Sequence, residues 1–263
     1  MLDKQVLLKS VNQPEEKLLF AKVLDQADLS LRSHKKTFTQ FIDPAKCIAL
    51  EKILYKIPDL KFLFFGGQED CERKMIGFAP DYMEFFYEDF PVSIIQIKKN
   101  NKFSEQLNHR DYLGSILGLG IDRSKIGDII LLEEYVVCYV QNEIADYICL
   151  QLQKVSHTKV EAVKIETSMF SLPEKKLLEK HATVASLRLD CIVSAGFQIS
   201  RKLSQDFIQA EKVNVNWNLI GNPSFVLKEG DILSLRGYGK IKLLEVKGKT
   251  RKDRISLMIG KYV

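Results

Sequence analysis

Apolar residues along this chain recur three and four apart near the start and two apart farther on, and the change of period marks its elements. In PEEKLLFAKVLDQADLSLRSHKK, Leu18, Leu19, Val23, Leu24 and Ala27 keep helical spacing behind Pro14, Glu15 and Glu16, which suit a helix start. A second helix is predicted with Asp43 as cap, Pro44 at its first position and Ile48, Ile53, Leu54 and Ile57 along one face, ending at Pro58. KFLFFGG and KMIGFAP then read as short strands. Gly66 and Gly67 read as a turn, since no GK[ST] follows to make a phosphate loop.

From Pro91 the pattern is more regular. VSIIQIKK is a predicted strand. Asn108 caps a helix through His109, Arg110, Asp111, Tyr112 and Leu113 into SILGLG. GDIILL and YVVCYV form a strand pair about Glu133-Glu134, EIADYICLQLQKV a helix, and KVEAVKI an alternating strand. That order is a split βαβ domain, an arrangement of many RNA-binding sheets. Its strands are mostly aliphatic, which argues against base stacking on the sheet. Residues 166–182 read as a connector ending in a charged, helix-like EKKLLEKH. RLDCIVSAGFQISRKLSQDFI then gives two short helices, the first ending at Gly196 and the second starting at Ser200, before strands with a turn at Gly230-Asp231. The expected class is α+β: an N-terminal α/β domain over 1–80, the split βαβ domain over 81–166 and a third domain over 181–263.

Composition narrows the setting. The content, 46% hydrophobic and 28% charged, is that of an ordinary soluble protein. The longest apolar runs, Ile129–Leu132 and Tyr135–Val140, fall far short of the roughly 20 residues that span a bilayer. MLDKQVLLKS has no leader pattern, so a cytoplasmic protein without membrane contact is expected. Cys47, Cys71, Cys138, Cys149 and Cys191 are scattered, and His34, His109, His157 and His181 form no HxxxH or HExxH pair. Reduced thiols, no metal and no cofactor follow. Charge is uneven: residues 181–263 hold 14 Lys+Arg against 7 Asp+Glu, and the rest of the chain 25 against 27. A basic module on a near-neutral body points to nucleic acid.

The candidate chemistry sits in that module. Arg188, Arg201, Lys202 and Lys212 surround the ends of the helix pair. Ser200 caps the second helix, leaving N–H groups and a positive dipole end for a phosphate. Arg201 adds a fork that grips a phosphate with two hydrogen bonds. Asp190 reads as a salt bridge or cap orienting Arg188. Lys247, Lys249, Arg251, Lys252 and Arg254 crowd an eight-residue stretch between strands, a hairpin clamp beside Lys240. Asn216 and Trp217 stand at a turn, where the indole either stacks on a base or packs the hairpin. His109, Arg110 and Asp111 place a base, a cation and an acid together, but no nucleophile or second carboxylate accompanies them. They read as capping and packing of a helix start, and no catalytic residue is assigned. In GLGID, Gly118 or Gly120 reads as a helix end.

The C-terminal pattern resembles the S4 RNA-binding domain in Arg188-Leu189-Asp190, Gly196, Ser200-Arg201-Lys202, Ile208, Val213, Val215-Asn216 and Gly230-Asp231. In that family the two helices and the adjoining loop face structured RNA. Two positions depart from its pattern. Glu211 replaces a helix-terminating glycine, which argues against a tight exit from the second helix, and Trp217 replaces a small turn residue. With HRDYLG and LGIDRSKIGDI upstream, the chain resembles the YlmH family over nearly its whole length. The resemblance implies an N-terminal domain, an RRM-like central domain and an S4 domain. It also implies a link to ribosome-associated quality control, with rRNA and tRNA on the large ribosomal subunit as partners. A non-catalytic RNA-binding factor is therefore expected. The alternatives are an RNA-modifying enzyme with an S4 targeting module, in which His109, Arg110 and Asp111 would act, and a cell-division adaptor working through a division protein.

Overall fold

Pro14 fixes the start of the first long helix, because its locked φ suits a first helical position where the missing N–H costs nothing. The computed structural model describes residues 2–9, 11–68, 70–100, 106–166, 177–250 and 253–262, in two compact units over 1–172 and 173–263. The first unit begins with a single turn, α1 (Lys4–Leu7), and α2 (Pro14–Ser33), which ends at His34 in the left-handed conformation. β1 (Thr37–Phe38), α3 (Pro44–Leu54), β2 (Leu60–Phe65) and β3 (Met75–Pro80) follow, with the strands antiparallel in the order β1-β3-β2. Asp43 stands at the cap position of α3, but its carboxylate pairs with Arg73 and Lys46 instead of the helix N–H groups. The central strand β3 is buried throughout. Its Ile76 and Phe78 face α2 and α3, packing with Phe20, Leu24, Leu50 and Leu54. Met75 and Ala79 face the other way.

What they face is the second sheet of the same unit. β4 (Val92–Lys99), α4 (His109–Leu117), β5 (Ile126–Leu131), β6 (Tyr135–Gln141), α5 (Asn142–Gln151), β7 (Lys154–Val155) and β8 (Thr158–Ile165) form an antiparallel sheet of order β5-β6-β4-β8-β7. This is the split βαβ arrangement expected. The fifth helix is shorter than its sequence pattern, since Lys154 and Val155 leave it to pair with Lys159 and Thr158. Strand alternation sends Ile95, Ile97, Val136, Cys138 and Val140 towards Tyr112, Ile116, Ala145 and Ile148 of the helices. It sends Ile94, Val137 and Tyr139 to the opposite face, where Phe41, Cys71, Met75, Phe85 and Phe90 cover them. Polar contacts lock the same seam: Asp128 accepts from the N–H groups of Glu72 (2.6 Å) and Arg73 (3.1 Å), and Arg73 donates to the carbonyls of Phe41 and Ile126. Residues 1–80 and the central sheet therefore share one core. The face that stacks bases in a typical RNA-binding sheet is filled by protein.

The second unit holds β9 (Leu177–Val184), α6 (Leu189–Phe197), α7 (Arg201–Gln209), β10 (Val213–Val215), β11 (Asn218–Leu219), β12 (Ile232–Leu235), β13 (Gly239–Lys249) and β14 (Ile255–Tyr262). The sheet order is β11-β10-β12-β13-β14-β9. Three expectations are corrected here. The described part of EKKLLEKH, from Leu177 on, is strand and not helix, because eight residues of β9 pair with β14 from Ile255 to Tyr262 and that ladder overrides the Leu/Glu/Lys preference. Gly196 does not end α6. It lies inside the helix, packed closely on β13: a Cβ would fall 2.3 Å from Ile241 Cδ1, so that side chain would have to shift. The left-handed exit falls at Gln198. Lys247 and Lys249 belong to β13 and not to the hairpin loop, since its pairing continues to Lys249↔Ile255. Among the described residues no helix is long and apolar enough to cross a membrane.

Candidate nucleic-acid interface

Asp190, in the first turn of α6, is fully buried and gathers the basic residues of the helix pair. Its Oδ1 accepts from Arg188 Nε (3.1 Å), and its Oδ2 accepts from Arg188 Nη2 (3.2 Å), Arg201 Nε (3.1 Å) and Gln205 Nε2 (2.8 Å). Ser204 donates to its carbonyl at 2.9 Å. Burial pushes this carboxyl up. The hydrogen bonds from Arg188, Gln205 and Arg201, with the Arg201 charge, outweigh it and hold the group well below the usual carboxylate range. The arginines stay accessible, with side chains 36% and 53% exposed. Each has one edge fixed on Asp190 and keeps further N–H groups for a ligand. Asp190 orients Arg188 as expected, and Arg201 as well. Gln205 was not singled out from the sequence, although its position four residues after Arg201 puts both on one face of α7.

The two helix starts differ. Arg188 precedes α6 without a side-chain cap, and the N–H groups of Leu189 and Asp190 donate to the carbonyls of Phe225 (2.8 Å) and Pro223 (3.1 Å). That end is closed by loop backbone. At α7, Ser200 caps as expected, accepting from the Leu203 N–H at 3.2 Å. The N–H groups of Arg201 and Lys202 have no acceptor among the described residues, and Lys202 is exposed. An open helix start with two cations on its first turn is an anion site in electrostatic terms.

The other candidates lie at varying distances from this cluster. Lys212 follows the far end of α7, a helix length of about 14 Å away, with its Nζ 5.2 Å over the Phe207 ring. The exit from α7 is tight despite Glu211, which adopts the left-handed conformation (φ 55°). The N–H groups of Glu211 and Lys212 donate to the carbonyls of Ile208 (3.1 Å) and Phe207 (3.0 Å), the bonds of a glycine-type helix stop. Asn216 and Trp217, at φ 47° and 63°, form the two-residue turn between β10 and β11. The Asn216 side chain is held within the fold, donating to Asp231 Oδ1 (2.8 Å) and accepting from the Ile232 N–H (2.9 Å). Trp217 is half-buried. Lys240 lies on β13 opposite Ser234. Lys247 pairs with Glu245 (3.5 Å), Lys249 with Asp253 (2.7 Å), and Arg254 donates to the Thr183 carbonyl (2.8 Å). Exposed pairs of this kind contribute at most about 1 kcal/mol and yield readily to a phosphate. Arg251 and Lys252 lie outside the described residues.

The His109-Arg110-Asp111 segment forms the start of α4. Asn108 accepts from the Arg110 N–H (2.9 Å) and Asp111 from the Asn108 N–H (2.8 Å), a reciprocal cap. Burial and the Arg123 charge lower the His109 pKa, partly offset by Asp128. No group of three or more His, Cys, Asp or Glu able to hold a metal occurs among the described residues.

Known proteins place this geometry. Residues 86–169 match the family model described as "Putative RNA-binding domain in YlmH", and residues 187–233 match the S4 domain. The chain is 31% identical over 240 residues to the Bacillus subtilis (strain 168) "Ribosome-associated protein quality control protein P2", covering 91% of this chain and 93% of that protein. A solved structure, "Cell division protein ylmH from Streptococcus pneumoniae", superposes with a TM-score of 0.51 at 24% identity, over 60% of this chain and 95% of that one, and supports the fold alone. Identity at that level over nearly the full length, with both domains in sequence order, means that this chain belongs to the YlmH family of S4-domain proteins.

Proposed function

We propose that this protein is a non-catalytic RNA-binding factor that acts in ribosome-associated quality control, engaging rRNA and tRNA on the large ribosomal subunit. The observation that carries the reading is the Asp190 cluster. It holds Arg188 and Arg201 in fixed orientations beside the open start of α7, with Lys202 next to them. Such a surface favours phosphates held at a set spacing, as structured RNA presents them, over a flexible polyanion, because both arginines are oriented before binding. The name of the Bacillus subtilis relative supplies the ribosomal context. In this reading Arg188, Ser200, Arg201 and Lys202 form the centre, while Lys212, Trp217, Lys240, Lys247, Lys249, Arg251, Lys252 and Arg254 extend it. Asn216 serves as scaffold for the β10–β11 turn.

Co-sedimentation of the full chain with purified large subunits across a salt series tests this. Arg201→Ala/Lys202→Ala should weaken binding at least tenfold and lower the slope of log affinity against log salt by about 2, near 0.9 for each phosphate no longer neutralised. Lys202→Ala alone disturbs no internal pair and should lower it by about 1. Unchanged sedimentation of the double variant at equal salt would remove the assignment.

A further inference from the structure

Arg188 has an apolar neighbour that charge does not explain. The Leu189 N–H donates to the Phe225 carbonyl (2.8 Å) and the Leu227 N–H to the Leu187 carbonyl (2.9 Å), so Arg188 and Val226 form an isolated antiparallel bridge. Those two bonds flank the pair without passing through it, which makes it the non-hydrogen-bonded kind. In such a pair the Cα atoms approach to about 4.5 Å and the side chains stand side by side on one face. Val226 is nevertheless 66% exposed, and Phe225 before it 37%. An apolar side chain standing in water thus emerges beside that of Arg188, whose guanidinium is fixed on Asp190.

The loop that carries it is built to stay in place. The Asn222 side chain accepts from the Ser224 N–H (2.9 Å) and its carbonyl from the Phe225 N–H (3.1 Å). The Pro223 and Phe225 carbonyls take the first two N–H groups of α6. Binding at Val226 therefore costs little ordering entropy. The stretch from Ile220 to Leu227 contains no Lys or Arg, so it offers no cation to a phosphate.

We infer that Val226, with Arg188, forms a subsite for an unpaired nucleotide, the valine taking the face of its base and the arginine a phosphate beside it. The inference rests on the RNA-binding reading above and narrows it. A regular A-form helix turns phosphates and 2′-hydroxyls outward and keeps its base faces stacked inside. Only a bulge, a loop or a frayed end offers a base face to a rigid valine. The RNA element this site selects is then a helix with an extruded nucleotide, and the contribution of Val226 is apolar and indifferent to salt.

Binding of the full chain to two synthetic RNAs, a continuous stem and the same stem with one bulged nucleotide, tests this by fluorescence anisotropy over a salt series. The wild-type protein should prefer the bulged stem. Val226→Ser, an exposed change that should not disturb folding, should weaken binding to the bulged stem about fourfold, the loss expected for roughly one buried methylene group. It should leave affinity for the continuous stem and both salt slopes unchanged. Arg201→Ala/Lys202→Ala should weaken both RNAs and flatten both slopes. Equal loss on the two stems, or none, for Val226→Ser overturns the subsite while the phosphate site stands. No loss on either RNA for the Arg201/Lys202 variant overturns the RNA-binding reading, and the subsite with it. If Val226→Ser lowers binding to large subunits but to neither RNA, the valine meets a protein surface and the nucleotide assignment fails.

Discussion

Arg201 Nε lies 3.1 Å from Asp190 Oδ2, joining the start of α7 to the start of α6 across eleven positions of sequence. Arg188 and Gln205 complete the shell around the same carboxylate. A buried charge accepting four side-chain hydrogen bonds is strongly position-determining. Its orphaned donors, once it is removed, turn to water and lose their orientation.

Asp190→Asn should therefore act on stability and binding together. The amide keeps the shape but cannot accept from both arginines on both atoms. The arginines are partly exposed and recover some solvation, so the cost should be about 2 kcal/mol, below that of a fully buried pair. Urea unfolding measures the first effect. RNA affinity under folding conditions measures the second and should fall several-fold although no RNA-facing cation is removed. A variant of wild-type stability would mean that the carboxylate does not organise the pair.

The same group sets an acid response. Its folded pKa lies below the unfolded value of about 3.9, so its contribution is fully present above that value and is lost as pH falls through the folded one. Between pH 5 and 2, taken as about the accessible range, wild-type stability should drop more steeply than that of Asp190→Asn, whose position no longer titrates. Parallel curves would show that Asp190 has an ordinary pKa.

Glu211 holds a left-handed backbone where glycine is the unstrained choice. Glu211→Gly should stabilise the second unit by about 1 kcal/mol, the cost of that conformation for an L-residue. Glu211→Ala keeps the strain and should not stabilise. Both remove a negative charge near the end of α7, so both should raise RNA affinity alike. Thermal melts and anisotropy separate the two effects, and equal melting temperatures for the Gly and Ala variants would exclude backbone strain.

These residues show where sequence was informative and where it was not. The period of apolar positions foretold the strands and helices of the central sheet, because each element buries one stripe or one face. Chemistry at a single position foretold the Ser200 cap and the Arg188–Asp190 pair. Other features depend on partners distant in sequence. Leu177–Val184 is a strand because β14 lies beside it, and Gly196 lies inside α6 with its backbone close against Ile241 of β13. That the strands of the central sheet are mostly aliphatic was legible. The reason, a covering of Phe41, Phe85 and Phe90, was not, since nothing local says which apolar residues meet.

That covered face yields a last prediction. Tyr139 Oη is buried and has no hydrogen-bond partner among the described residues, while its ring occupies the space beside Gly67. An unmet buried hydroxyl costs about 1–3 kcal/mol, so Tyr139→Phe should leave the first unit as stable or raise its stability by about 1 kcal/mol. Gly67→Ala should do the reverse. A Cβ there would sit 2.2 Å from the ring, on a backbone with φ 108°, and overpacking plus strain should cost about 3 kcal/mol. The two changes act on different atoms, so Tyr139→Phe should not rescue Gly67→Ala. Urea unfolding of both single variants and the double one checks this. A Tyr139→Phe variant destabilised by more than about 1 kcal/mol would mean that the hydroxyl has a partner, such as a buried water, bridging the two sheets.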